Sequence, residues 1–144
     1  MSLVLFETLE KKHDRCLTDA RGYHQRAVQF ARDGERASLV FNIASVAIEA
    51  YLIALCARHQ ILPTNHDYGN LVASAEEAIT FDPALRQAIL ALDTIFGICS
   101  LDNYHHDQPV PADAERTLEI CDALSRMFEQ PDTADAPQRL VRQA

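Results

Sequence analysis

A chain of 144 residues is long enough to bury a sizeable core as one domain, with no disulfide or metal needed to hold it. Hydrophobic residues at 48% and charged residues at 24% exclude a disordered or fibrous chain. A formal net charge of −8, with Lys only at positions 11 and 12, argues against a face that grips nucleic acid through its phosphates.

Ser2 is placed to cap a first helix that runs to about Arg32. Phe6, Leu9, His13, Cys16, Ala20, Tyr23, Ala27 and Phe30 recur at steps of three and four, one long stripe for a partner helix. Asp33-Gly34 supplies a stop with a residue that tolerates a left-handed backbone. The second helix, Arg36 to Arg58, reads RASLVFNIASVAIEAYLIALCAR. It is the densest apolar run in the chain, without charge between Arg36 and Glu49, and so predicts a helix buried on most sides. Its polar exceptions, Ser38, Asn42, Ser45 and Glu49, are offset by 4, 3 and 4 and fall on one line. The turn-rich ILPTNHDYGN leads into a short helix from Tyr68 or Gly69 to Thr80. Asp82-Pro83 caps and opens a fourth helix reaching about Ser100. After the polar loop LDNYHHDQPVP, a last helix covers about Ala112 to Gln130. The tail beyond Pro131 lacks periodicity and is expected to be flexible, leaving residues 1–130 as the folded unit. Without a strand pattern or a repeat, the chain predicts an all-α up-and-down bundle of four main helices plus one short one.

Cys16, Cys56, Cys99 and Cys121 are far apart and sit in apolar helical settings. That pattern points to free thiols and a reducing cytoplasm. The N-terminus lacks the basic start of a secretory signal. Leu39–Cys56 approaches membrane length, but Asn42, Ser45 and Glu49 within it favour a core helix, so no membrane association is expected.

Chemistry is sparsely marked. The Asn42–Glu49 line is either the solvent edge of the helix or the wall of a groove, since burying it unpaired would cost several kcal/mol. Glu10 and His13 make one Glu-x-x-His unit, but a carboxylate-bridged di-metal site needs two. His24, His66, His105 and His106 could serve a mononuclear metal only if the fold gathers them, and no metal or cofactor is assigned. There is no nucleophile elbow, no Gly-rich phosphate loop and no Cys in an exposed basic setting, so nothing specifies an enzyme. Two loops hold the remaining candidates. Asp67 can cap the short helix beside His66, and Tyr104, His105 and His106 follow the fourth helix. A short helix that adds no full crossing would bring the two loops to one rim.

AIEAYLIALCARHQ, then LPTNHDYGNL, then LDNYHHDQPV and PADAERTLEICDAL resemble the HEPN family of small helical proteins, over about residues 35–128. The resemblance implies an up-and-down bundle that forms homodimers. It also implies a nucleotide ligand or a partner protein, often a nucleotidyltransferase of a toxin–antitoxin pair. The family's ribonucleases carry Arg, four to six residues, then His. Here the nearest approach is Arg58 to His66, with seven between. The expected function is thus a non-catalytic HEPN-like domain with Asn42, Glu49, His66, Asp67, Tyr104 and His105 around a polar groove. The alternatives are a ribonuclease using His105 or His106 as base, and a metal-binding bundle.

Overall fold

A computed structural model describes residues 7–95 and 109–129, with the side chains of 94 and 95 left undescribed. Among the described residues there are five α-helices and no strand: α1 (Leu9–Arg32), α2 (Ala37–Arg58), α3 (Tyr68–Ala75), α4 (Pro83–Ile95) and α5 (Pro111–Glu129). The all-α bundle expected from the pattern is the observed fold.

The helices start and stop where local chemistry tells them to. Thr8, not Ser2, caps α1: its hydroxyl accepts the Lys11 amide at 3.1 Å, so Glu7 and Thr8 stay outside the helix. Gly34 adopts φ 75 beyond the Asp33 cap, the left-handed turn that ends α1. Asp82 accepts the amides of Ala84 and Leu85, each at 3.1 Å, and Pro83 begins α4. Asp113 accepts the Val110 amide at 2.9 Å, which moves the start of α5 back to Pro111. The short helix ends at Ala75 rather than Thr80, and its last residues tighten into turns (Ala78 amide to Ala75 carbonyl, 3.0 Å). The continuation of α4 to Ser100 and the tail after Pro131 lie outside the described residues.

Helix α2 is the hub, packed against α1, α3 and α5. Thirteen of its 22 residues are buried, among them Phe41, Ile48, Tyr51 and Leu52 at 0% exposure. Each such side chain contributes about 1.5–3 kcal/mol by leaving water. Pairings along the chain set the directions. His24 meets Tyr51, while His13 and Leu17 share a cleft with Ala57 and Arg58, so α1 runs antiparallel to α2. Cys121 reaches the Ala44 carbonyl and Arg58 the Met127 carbonyl, so α5 runs parallel to α2. Helix α2 is long and apolar enough to cross a membrane, with mean hydropathy 2.0 over its best window, but 67% of that window is buried in the bundle. Its apolarity is spent on the protein core.

Candidate functional site

The polar line on α2 straddles the surface rather than facing one groove. Asn42 is exposed, Ser38 and Glu49 are half-buried, and Ser45 is fully buried. Helix α3 packs over the inner part of the line. The Tyr68 hydroxyl of α3 donates to the Ser45 carbonyl at 2.8 Å, inside the core. The hydroxyl of Ser45 has no partner among the described residues.

Glu49 of α2 lies within electrostatic reach of His66. Burial pushes the Glu49 carboxyl above its ordinary value, and the His66 charge partly offsets that. Asp67 caps α3: it accepts the Asn70 amide at 2.8 Å and the Asn70 side-chain amide. Asp93 was not among the residues singled out from the sequence. From α4 it accepts the amides of Tyr68 at 3.2 Å and Gly69 at 2.9 Å. Its signal was only a carboxylate inside an apolar helix. Burial pushes Asp93 up, against the pull of those two amides. Asp67 and Asp93 together occupy the first amides of α3, and Glu49 adds a third carboxylate nearby. A phosphate at this edge would meet negative charge and no free helix amides. Tyr104, His105 and His106 lie outside the described residues, so the rim expected between the two loops is described only at Glu49, His66 and Asp67.

Beside the polar line lies a feature the sequence did not isolate. Leu39, Ile43, Val46 and Ala50 are spaced 4, 3 and 4 along α2 and all reach the surface, Val46 at 36% exposure. Ile53, at 8%, continues the row to the core edge. This heptad-spaced stripe is what a partner helix packs against. It was hidden because a helix apolar on every side shows no moment to say which side stays uncovered.

His24 serves structure. His24 of α1 donates from Nε2 to the Asp122 carboxylate of α5 at 3.0 Å, which leaves Nδ1 to accept the Tyr51 hydroxyl of α2 at 2.8 Å. The chain Tyr51–His24–Asp122 thus ties three helices together. His13 accepts no such role: its Nδ1 lies 3.0 Å from Asp14, and its ring tilts against Phe128 at 5.9 Å. Among the described residues no three His, Cys, Asp or Glu side chains gather as a metal-ligand set. Cys16, Cys56 and Cys121 are free and buried. Burial raises all three thiols, Cys56 to about 11, so none of them is a ready nucleophile.

A cleft of about 570 Å³ opens at the end of the bundle where α1 begins and α2 and α5 finish. Leu9, Leu17, Ala57 and Phe128 supply its apolar wall, and Glu10, His13, Arg58 and Gln60 its polar groups. Gln60 is the turn residue after α2. Its amide donates to the Ala57 carbonyl at 3.0 Å, and the Ile61 amide to Cys56 at 2.8 Å, the pattern that normally ends on Gly. Gln60 instead holds φ 62, the one non-glycine residue with positive φ among those described. Gln60→Gly is therefore expected to raise stability by about 0.5–1 kcal/mol in urea melts, the left-handed strain relieved less the extra unfolded-chain entropy.

No protein-family model, no curated protein and no solved structure matches this chain. The class the fold and surface define is an all-α bundle whose central helix carries one apolar row, half-buried at Leu39, Ile43 and Ala50 and exposed at Val46 among the described residues.

Proposed function

We propose that this chain is a non-catalytic interaction domain, HEPN-like in the sense of the sequence resemblance, that pairs with a second copy of itself through the outer stripe of α2. The observation that carries the reading is the surface row Leu39, Ile43, Val46 and Ala50 on the most apolar helix of the bundle. A two-fold pairing lays the same row on both copies, each covering the other. Ala50 is small enough to let the two backbones approach, and Asn42 at the margin fixes register as a lone polar residue does in a helical seam. The nucleotide arm of the resemblance is less well supported, because the edge around Glu49, Asp67 and Asp93 is acidic and the α3 amides are taken. A nucleotidyltransferase partner, where the resemblance extends that far, would compete for the same stripe.

Sedimentation equilibrium tests this. The wild type is expected to dimerise at micromolar concentration and Val46→Glu to remain monomeric with unchanged helicity, since a carboxylate buried in an apolar seam costs several kcal/mol. Two copies of charge −8 repel each other, so added salt is expected to tighten the dimer. A wild type that stays monomeric at every concentration and salt, or a Val46→Glu variant that dimerises as well as the parent, removes the proposal.

A further inference from the structure

Ser45, Glu49 and Cys56 lie on one side of α2, offset by 4 and 7. The Tyr68 hydroxyl, 2.8 Å from the Ser45 carbonyl, sets α3 over that side. The cover is a poor match for what it covers. The Ser45 hydroxyl is sealed from water with no partner among the described residues, and the Glu49 carboxyl is half-buried. A polar group buried without a partner opposes the docking that buries it. Cys56 is fully buried, and its Sγ faces the Leu71 carbonyl of α3 at 3.8 Å. We infer that α3 is a lid: it lifts from α2 with Asp93 as its latch and bares Ser45, Glu49 and Cys56 while α1, α2 and α5 stay packed.

The attachments of α3 are few and separable from the rest of the bundle. At 8 residues it is too short to hold as a helix in water by itself, so it depends on its docking. Among the described helices it packs against α2 and α4. Tyr68, Leu71, Val72 and Ala75 supply the apolar grip. The polar grip comes mostly from α4: Asp93 holds the Tyr68 and Gly69 amides at 3.2 and 2.9 Å, and Arg86 holds Glu76, just past the end of α3, at 2.9 Å. A Cβ added at Gly69 would touch Asp93 Oδ2 at 3.4 Å, so the glycine leaves the latch room to close. Residues 59–67 and 76–82 flank α3 without a helix, so both ends can move without unwinding a neighbour. The ties from His24 to Tyr51 and Asp122, which join α1, α2 and α5, do not pass through α3. Lifting the lid leaves them intact, which makes this a local opening rather than the first step of global unfolding.

The full chain is labelled with N-ethylmaleimide in low urea and read cysteine by cysteine through peptide mass mapping, with amide exchange measured alongside. The amides of Ile48 and Leu52, in the middle of α2, report global unfolding. Cys56 labelling and exchange at Leu71 and Val72 are expected to show an opening at least tenfold more frequent than theirs, with a weaker dependence on urea because less surface is exposed. Asp93→Ala is expected to speed Cys56 labelling about tenfold or more, since the open form has already given up the two bonds that the variant lacks. His24→Ala breaks a tie that the closed and open forms share. It should therefore speed exchange at Ile48 and Leu52 and leave Cys56 labelling unchanged. Cys56 and α3 openings no more frequent than those of the α2 amides, a Cys56 rate that rises with His24→Ala, or one unmoved by Asp93→Ala would each overturn the proposal.

Discussion

Truncating Tyr51 to Ala is expected to cost about 3–5 kcal/mol, a large share of the roughly 5–15 kcal/mol that holds a domain of this size together. Tyr51 is fully buried, its ring stacked on Phe128 at 6.0 Å and set edge-on to His24 at 5.8 Å. Its hydroxyl bonds His24 of α1, which in turn holds Asp122 of α5. Tyr51→Phe separates the two contributions. It keeps the ring and leaves His24 Nδ1 without its partner, a loss of about 1–3 kcal/mol. Combining it with His24→Ala should cost less than the sum of the single changes, because both cut the same chain, with a coupling of about 0.5–3 kcal/mol. Urea denaturation of the four proteins measures this. Strict additivity would mean that the polar chain contributes only through its separate packing.

The hub role of α2 was readable from RASLVFNIASVAIEAYLIALCAR because no other stretch is apolar on so many sides, and the structure buries thirteen of that helix's residues. The stops at Gly34 and Asp82-Pro83 were readable because one residue's chemistry decides each. Thr8 was missed as a cap because Ser2 offers the same hydroxyl, and only the Lys11 amide at 3.1 Å picks between them. The site was much less legible. A period of 3.6 places Asn42 and Glu49 near one another but cannot say that α3 covers the inner part of their line. Asp93 clamps an element 25 residues earlier, and Asp122 reaches His24 across 98 positions. Pairings of that span depend on how helices dock, which local pattern does not encode. The apolar row is the same kind of problem, because how far each side of an all-apolar helix is covered is settled by its neighbours.

Asp93 carries the second large expectation. Asp93→Ala removes the acceptor for two α3 amides and is expected to cost about 1.5–3 kcal/mol at neutral pH, the weight of hydrogen bonds to a charged group. Amide exchange at Tyr68 and Gly69 should quicken at the same time, while the α1–α2 amides change only as global stability changes. The pH dependence points the same way. Burial raises both Asp93 and Glu49 in the folded protein, from ordinary values of 3.8 and 4.5. The folded state therefore holds these protons more tightly than the unfolded chain. Their contribution is complete below the ordinary values and is lost as the pH rises through the raised ones. Glu7, paired with Arg15 at the surface, is shifted down, so its contribution persists until the pH falls below its usual 4.5. As the pH falls toward the carboxylate range, uptake of these two protons favours the folded state, and relief of the net charge of −8 acts with it. Thermal melts are expected to show Tm rising as the pH is lowered from neutrality toward that range. Glu49→Gln should flatten the rise without loss of stability at neutral pH, because it removes a half-buried charge. Asp93→Asn should flatten it at a cost, since an amide offers only one acceptor oxygen to two donors. A Tm that falls steadily from neutrality downward, in the wild type and both variants alike, would show that these two carboxyls are not held in the way the helix junction requires.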